Sequence, residues 1–199
     1  MRVLVTGFEP FGGDAINPSA EIARNLPRHA ADARLTTAIL PVVYYRSLAI
    51  LRRLLILERP DAVLCLGMAG GAAAVTVETR AVNLNDARMP DNDGQQPEGE
   101  PIRDRAPASL PPTVPLDRIC EALGRYVPVE RSESAGTFLC NHVFYALMDY
   151  IHHDQPSLLG GFVHVPFIAE QHRSHRREPF LELDSLVQAV RRAILSLQG

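Results

Sequence analysis

Residues 2–8, RVLVTGF, and residues 61–71, DAVLCLGMAGG, are short apolar runs that each end in a glycine-containing turn. Runs of this length with little polar alternation are typical of strands buried on both faces of a sheet. A helical pattern follows the first run. In NPSAEIARNL (residues 17–26), Pro18 suits the first helical turn and Asn17 suits the N-cap before it. A strand followed by a helix is the repeating unit of a parallel sheet.

The rest of the chain continues this alternation of strands and helices. We expect further strands at residues 35–43, 75–83 and 158–166. We expect further helices at residues 45–60, 114–126, 140–153 and 183–197, the last of them capped by Asp184. The pattern predicts one α/β domain over residues 1–199, a three-layer α/β/α sandwich with a mostly parallel, twisted sheet. Functional sites in such sheets form beyond the carboxyl ends of the strands.

The long segment between the predicted strand at 75–83 and the helix at 114–126 has a different composition. Residues 84–113 are rich in proline, glycine and charged residues. A loop of this length inside a compact domain is usually functional or mobile. The sequence leaves both possibilities open.

Composition excludes several classes of protein. The net charge of −3, without a block of like charge, gives no reason to expect nucleic acid or an anionic membrane as a partner. No apolar run reaches the roughly 18 residues that a membrane-spanning helix needs, and the short first run does not fit a signal peptide. Three widely spaced cysteines do not suggest a disulfide framework. We expect a soluble, cytoplasmic protein with reduced thiols.

One of the three cysteines lies at an element boundary. In SAGTFLCNH (residues 134–142), Cys140 follows a small-residue turn and begins a predicted helix. The positive end of a helix dipole favours a thiolate, which is the nucleophilic form of cysteine. Free cysteines are also often plain packing residues. Cys65, inside a buried strand, and Cys120, on an apolar helix face, fit that second interpretation.

A thiolate nucleophile needs a base and a group that orients the base. His164, in GGFVHVPF, is the only one of the seven histidines inside an apolar strand, although alone it could be a hydrogen-bonded core residue. Glu78, in VTVETRAVN, could orient the imidazole. It could equally pair with Arg80 on the same face of the strand, and the sequence does not decide between these.

Other motifs give weaker signals. The pairs His172 and His175, and His152 and His153, lack the carboxylate or cysteine partners of a specific metal site. The turn GFEPFGG matches neither the dinucleotide nor the Walker phosphate pattern. We expect neither a metal nor a nucleotide cofactor.

Four motifs in order carry a resemblance to a known family. They are VLVTGFEPFGG…NPS, LCLGMAGG…VTVETRAVNLNDARMPDNDG, SAGTFLCNHVFYALM and GFVHVPFIAEQ. Together they resemble the pyroglutamyl peptidase I (pyrrolidone-carboxylate peptidase) family of cysteine peptidases, nearly from end to end. The resemblance implies a triad of Cys140, His164 and Glu78 that removes N-terminal pyroglutamate from peptides without a metal. It also implies a fold similar to purine nucleoside phosphorylases and a homotetramer.

The resemblance also implies a pocket for the substrate. A pyroglutamyl group is a flat, uncharged lactam, which aromatic faces and a few backbone hydrogen bonds would hold. The implied pocket residues are Phe8, Phe11, Phe138, Leu139 and Met68. Phe8 and Phe11 could instead be ordinary core residues.

Two residues would assist the pocket. Asn17 would support the GFEPFGG turn. Arg88 would assist at the developing oxyanion, unless it only forms a salt bridge with Asp86 or Asp91.

The chain departs from the family at several positions. Met68 stands where glutamine is usual and Ala72 where arginine is usual. The order Thr79 and Arg80 also differs from the family pattern, and Arg80 could compete with His164 for Glu78. Two alternatives therefore stay open: a related cysteine hydrolase for another small N-acyl group, and a catalytically weakened homologue that binds without turnover.

Overall fold

The computed structural model describes residues 1–171 and 174–198, so His172 lies outside the described residues. The strands are β1 Arg2–Phe8, β2 His29–Ala30, β3 Ala33–Leu40, β4 Ala62–Met68, β5 Val75–Glu78, β6 Ala81–Val82, β7 Ser109–Leu110, β8 Val129–Ser132, β9 Leu159–Val165, β10 Phe167–Ile168 and β11 Phe180–Leu181. The helices are α1 Pro18–Asn25, α2 Arg46–Glu58, α3 Leu116–Gly124, α4 Leu139–Asp154 and α5 Leu183–Ser196, with a 3-10 turn at Ala169–Gln171.

A central sheet of seven strands has the order β2-β3-β1-β4-β9-β5-β8. Strands β3, β1, β4 and β9 are mutually parallel, as the alternation of strands and helices predicts. Strand β5 then runs antiparallel to β9 and parallel to β8. The sheet is therefore mostly parallel, with antiparallel pairs at β9–β5 and, at one edge, between β3 and the short β2. Glu78 ends β5 and His164 lies near the end of β9, and these two strands are antiparallel neighbours.

Helices cover both faces of the sheet, which confirms the predicted α/β/α architecture. On one face, buried side chains of α1, α3 and α5 form a core with the sheet, among them Ile22, Ile119 and Leu186. On the other face, α2 and α4 form a second core, which includes Leu51 and Phe144. No helix in the described part of the chain is long and apolar enough to cross a membrane.

Several elements differ from the sequence-based expectation. The N-cap of α5 is Glu182, and Asp184 lies in the first turn, so the predicted cap was wrong by two residues. The predicted strand at 75–83 is divided into β5 and β6, because the chain leaves the central sheet after Glu78 and β6 pairs with β7. Strand β8 was not predicted, since its sequence VERS is polar and lies at the edge of the sheet.

The segment 84–113 is better ordered than its composition suggests. Asn85 and Glu100 form an antiparallel bridge in which each backbone N–H donates to the other's carbonyl, at 2.7 and 2.9 Å. Ser109 and Leu110 form β7 against β6. These contacts fold the segment back beside the start of α4.

Candidate active site

Three side chains from three elements meet at the carboxyl ends of the central strands. Cys140 is the second residue of α4, His164 lies in β9, and Glu78 is the last residue of β5. His164 Nδ1 lies 2.8 Å from Glu78 Oε1. Because an ionised carboxylate only accepts hydrogen bonds, Nδ1 carries the proton and donates it. The imidazole therefore has its other nitrogen, Nε2, available for the sulfur.

Gly67, near the end of β4, allows the sulfur and the imidazole to lie side by side. A Cβ atom at this position would lie 2.8 Å from Cys140 Sγ and 2.9 Å from His164 Cδ2. Both distances are shorter than real Cβ contacts. A glycine is therefore required here, because both reactive side chains pack directly against the backbone of β4.

The electrostatic environment couples the three groups. Burial lowers the pKa of His164, but the charge of Cys140 and hydrogen bonds to Cys140 and Glu78 outweigh it and raise this pKa to about 10. Burial likewise disfavours the Glu78 carboxylate, whose side chain is 1% exposed. The hydrogen bond and the positive charge of His164 overcome that effect and lower the pKa of Glu78. A protonated imidazole hydrogen-bonded to an ionised Glu78 carboxylate is thus the favoured charge state of this pair.

The start of α4 provides further polarity at the sulfur. The first helical hydrogen bond joins the His142 N–H to the Phe138 carbonyl at 3.0 Å. The N–H groups of Leu139, Cys140 and Asn141 precede it and have no acceptor within the helix. Phe138 occupies the N-cap, and its phenyl ring cannot accept a hydrogen bond from them. These donors and the helix dipole favour negative charge beside Cys140.

Arg80 does not share the environment of Glu78. Its Nε donates to the Glu133 carbonyl oxygen at 2.8 Å, and its guanidinium lies 3.9 Å from the Glu133 carboxylate. The strand ends before Arg80, so the two residues do not follow the alternation that would place them on one face. Arg80 therefore does not compete with His164 for the Glu78 carboxylate, and that expectation was wrong.

A cavity of about 810 Å³ opens over the triad. It is lined by Phe11, Met68, Ala69, Gly70, Thr76, Glu78, Asp86, Arg88, Met89, Ser132, Ser134, Ala135, Gly136, Thr137, Phe138, Cys140 and His164. Four of the residues singled out from the sequence for the substrate site are in this wall: Phe11, Phe138, Met68 and Arg88. The rings of Phe11 and Phe138 are neighbours, with their centroids 6.0 Å apart and their planes tilted by 44°.

Two other expected pocket residues lie in the core instead. Phe8 is 2% exposed and packs against Phe162, with the ring centroids 6.5 Å apart. Leu139 is 1% exposed and belongs to the core between α4 and the sheet. Neither side chain is part of the cavity wall, so the packing interpretation applies to Phe8. A position beside the nucleophile in sequence does not direct Leu139 into the cavity, because successive helical residues point in different directions.

Asn17 holds the turn that carries Phe11. Its Oδ1 accepts from the Ser19 N–H at 3.1 Å, which caps α1, and from Ser19 Oγ at 2.8 Å. Its Nδ2 donates to the Glu9 carbonyl at 3.0 Å. Ser19 Oγ in turn accepts from the Phe8 N–H at 2.9 Å. The end of β1 and the start of α1 are thus joined through one buried amide.

Sequence reasoning missed several cavity residues. Thr76 Oγ1 donates to Glu78 Oε1 at 3.2 Å, and its place two residues before Glu78 in a strand was an available signal. Met89 directly follows Arg88 in the sequence and also lines the cavity, so its position next to Arg88 was a second signal. Ser132 ends the unpredicted β8, and Ser134 to Thr137 form the loop before α4. These small residues carried no distinctive signal in the sequence.

The unusual residue Met68 has a defined contact. Its Sδ accepts from Gln171 Nε2 at 3.6 Å, behind the cavity wall. Ala72, the other departure, is not among the residues that line the cavity. Arg88 is exposed and lies in the cavity wall.

The remaining histidine motifs have ordinary contacts. His152 Nε2 lies 3.1 Å from the Pro111 carbonyl, and His153 Nδ1 lies 3.0 Å from the Asp149 carbonyl. His175 pairs with Asp14 at 2.7 Å. Within residues 1–171 and 174–198, no group of three histidine, cysteine or acidic side chains is placed to hold a metal ion.

Comparison with known proteins agrees with this geometry. A family model described as "Pyroglutamyl peptidase" matches residues 1–198. The pyrrolidone-carboxylate peptidase of Bacillus amyloliquefaciens is 43% identical over 197 residues, which cover 98% of this chain and 91% of that protein. The enzyme of the same name from Thermosipho africanus is 38% identical, covering 96% of this chain and 93% of that protein.

Solved structures give the same result. The crystal structure of pyroglutamyl peptidase I from Bacillus amyloliquefaciens superposes with a TM-score of 0.94 at 41% identity, covering 98% of this chain and 94% of that one. A mutant pyrrolidone carboxyl peptidase from Pyrococcus furiosus superposes with a TM-score of 0.94 at 37% identity, covering 99% and 98%. With a family match over nearly all its length and a cysteine, histidine and glutamate joined at one cavity, this chain belongs to the pyroglutamyl peptidase family of cysteine peptidases.

Proposed function

We propose that this protein is an exopeptidase that hydrolyses the bond after an N-terminal pyroglutamyl (5-oxoprolyl) residue of peptides. The observation that carries the proposal is the contact of His164 with both Glu78 and Cys140 at the edge of a cavity, in a chain of this family. Cys140, His164 and Glu78 are the proposed catalytic residues.

In the proposed reaction, the Cys140 thiolate attacks the carbonyl carbon of the pyroglutamyl residue. The imidazolium of His164 gives its proton to the departing amine, so the peptide bond breaks and a thioester forms. His164, now neutral, takes a proton from water, and the hydroxide attacks the thioester carbonyl. Pyroglutamate leaves, and the proton on His164 again balances the thiolate. Glu78 keeps the imidazole oriented and stabilises its charged form.

Donors beside the sulfur would stabilise the oxyanion that forms in both steps. We propose the N–H groups at the start of α4 as these donors, since they have no acceptor within the helix, and each such donor contributes about 3 kcal/mol to lowering the barrier. Arg88, across the cavity, would add its positive charge. We propose it as an assisting residue rather than a member of the triad.

The cavity wall suits an uncharged cap. Phe11, Phe138, Met68 and Met89 provide apolar contact for the lactam ring, and Asn17 supports the turn that presents Phe11. The lactam has no ammonium group, so apolar side chains and backbone hydrogen bonds are sufficient to hold it. Ser132, Ser134 and Thr137 add polar groups to the same wall, and we propose that they contact the rest of the peptide.

A fluorogenic pyroglutamyl-amide tests the proposal directly. We expect turnover by the wild type and a preference for this substrate over the matching prolyl-amide and acetyl-amide. Faster turnover of either of the latter would overturn the assignment. It would favour the alternative of a hydrolase for another small N-acyl group, for which the observation is Met68 in the cavity wall in place of the glutamine usual in the family.

We also propose that the enzyme works in the cytoplasm as a homotetramer, without metal or cofactor. The exposed apolar side chains of Ile56 (59%) and Leu57 (64%) on α2 support self-association. Light scattering coupled to size exclusion measures the mass. A monomeric mass over the working concentration range would overturn the oligomeric assignment and leave the activity untouched.

A further inference from the structure

The two residues that follow Cys140 in the chain are completely buried and take no part in the reaction described above. Asn141 and His142 each have 0% exposure. Their side chains contact the chain between residues 82 and 85. That segment leads directly into the cavity wall at Asp86, Arg88 and Met89.

Asn141 uses its amide entirely on this segment. Its Oδ1 accepts from the Val82 N–H at 2.9 Å. Its Nδ2 donates to the carbonyl oxygens of Val82 at 2.8 Å and Leu84 at 3.0 Å. The other edge of β6 pairs with β7. On the free edge, the Asn141 amide bonds the backbone N–H and carbonyl of Val82, as a neighbouring strand would.

His142 joins the next residue of the segment to a second loop. The Tyr45 N–H donates to Nε2 at 3.5 Å, so Nδ1 carries the proton and donates to Asn85 Oδ1 at 2.9 Å. Tyr45 has φ 58°, an unusual backbone conformation for a tyrosine, and the bond helps to maintain it. Burial lowers the pKa of His142 to about 4, so the ring stays neutral at neutral pH and can donate and accept at once.

Thr137, just before α4, extends the same series of contacts. Its carbonyl accepts from the Asp86 N–H at 3.0 Å, and its Oγ1 donates to the Asp86 carbonyl at 2.8 Å. From Val82 to Asp86 the segment is therefore hydrogen-bonded to residues on both sides of Cys140. Arg88 and Met89 follow two and three residues later.

We propose that Asn141 and His142 are positioning residues: they fasten segment 82–86 to the first turn of α4 and so fix Arg88 and Met89 relative to the Cys140 sulfur. The inference rests on the proposed function, since it concerns the same cavity. The first turn of α4 carries Cys140 and also holds the segment that leads to Arg88 and Met89. This shared support keeps the distance between the sulfur and these two residues constant. A displacement of about 1 Å at such a site costs about 10²-fold in rate.

The main test is Asn141→Ala, with the buried residue Met148→Ala in the same helix as the matched control. Met148 packs against Gly160 of β9. For Asn141→Ala we expect kcat/KM to fall by about tenfold or more, mainly through KM, because the wall is loosened. The rate of iodoacetamide reaction with Cys140 should stay within about twofold, because the triad is retained. Amide hydrogen exchange of residues 82–88 should accelerate. Met148→Ala should lower stability without these changes.

A double mutant separates positioning from a general structural role. Arg88→Ala removes one group that the segment positions. In the double mutant, kcat/KM should therefore fall by less than the product of the two single-mutant losses. Asn85→Ala removes the His142 contact from the loop side and leaves α4 intact. It should reproduce the rise in KM, and it provides the test if Asn141→Ala does not fold.

Three results would overturn the proposal. They are unchanged exchange in segment 82–88, full additivity with Arg88→Ala, and an equal loss of kcat/KM in Met148→Ala. A wild type without pyroglutamyl-amide turnover would instead refute the proposed function. The exchange measurement would still decide whether Asn141 holds the segment.

Discussion

The imidazole of His164 depends on one oxygen atom, Glu78 Oε1. The hydrogen bond of 2.8 Å fixes the ring orientation, and the carboxylate contributes to the raised pKa. Thr76 adds a donor to the same oxygen. At this scale the site consists of a few short contacts at the wall of the cavity. Single substitutions should therefore distinguish the contribution of each of these side chains to catalysis.

The first prediction concerns the nucleophile. In Cys140→Ser, turnover of the pyroglutamyl-amide should fall by about 10³-fold or more, because a serine hydroxyl beside this imidazole is not ionised. Serine is smaller and should leave the fold intact, which circular dichroism and urea unfolding would verify. Cys120→Ser, at a half-buried cysteine of α3, is the matched control and should keep full activity. Retained turnover in Cys140→Ser would contradict the proposed mechanism.

The second prediction concerns pH. The leaving amine needs a protonated His164, and the pKa of this group is raised to about 10, so kcat/KM should decline at alkaline pH near 10 rather than near 6.5. Glu78→Gln removes a charge that raises this pKa and should move the decline to lower pH, with a loss of roughly 10²-fold or more in kcat.

Glu133→Gln is the control for the pH experiment, since Glu133 pairs with Arg80 at an exposed position. Its profile should match the wild type. The same raised pKa of His164 implies that its contribution to stability is present below pH 6.5 and is lost as pH rises from 6.5 towards 10. If kcat/KM of Glu78→Gln declines at the same alkaline pH as the wild type, the Glu78 carboxylate does not act on this imidazole.

Among the elements, the end of β4 has the strictest steric requirement. Gly67→Ala should place a methyl group against Cys140 Sγ and His164 Cδ2, and we expect kcat/KM to fall by about 10²-fold while the strand remains formed. Gly124→Ala, at the end of α3 with open space around it, is the matched control. Wild-type turnover in Gly67→Ala would mean that the two side chains can separate without loss of function.

The start of α1 gives a prediction about stability. Asn17→Ala removes the helix cap and the bond to the Glu9 carbonyl, and it should lower the free energy of unfolding by about 1 kcal/mol or more. KM should rise as well, because the turn that presents Phe11 loosens. Asn25→Ala, at the exposed end of the same helix, should change neither by a comparable amount. Urea titration and steady-state kinetics measure the two effects.

The sequence predicts elements best where apolar periodicity is strong. Strand β1 and the cap of α1 follow directly from RVLVTGF and NPS. The polar edge strand β8 has no such pattern, because only one side of an edge strand is covered. The division between β5 and β6 also escapes prediction. It depends on pairing with β7, which lies in a proline-rich segment with no strand signal of its own.

For the whole molecule, the topology brings together residues that are far apart in the chain. Glu78 and His164 are 86 positions apart and meet only because β5 runs antiparallel beside β9. The types of the triad residues were readable from short motifs, but their contacts required the sheet order. The same limit explains Phe8 and Leu139, whose burial depends on the packing of β1 and α4.

The three thiols of this protein occupy three different environments. Cys65 is fully enclosed, and burial raises its pKa to about 12, whereas Cys120 is half-buried on α3 and Cys140 faces the open cavity. In a Cys120→Ser background, an excess of alkylating reagent would therefore modify Cys140 and spare the enclosed Cys65. Stoichiometric labelling would count the working fraction of a preparation, independently of any substrate.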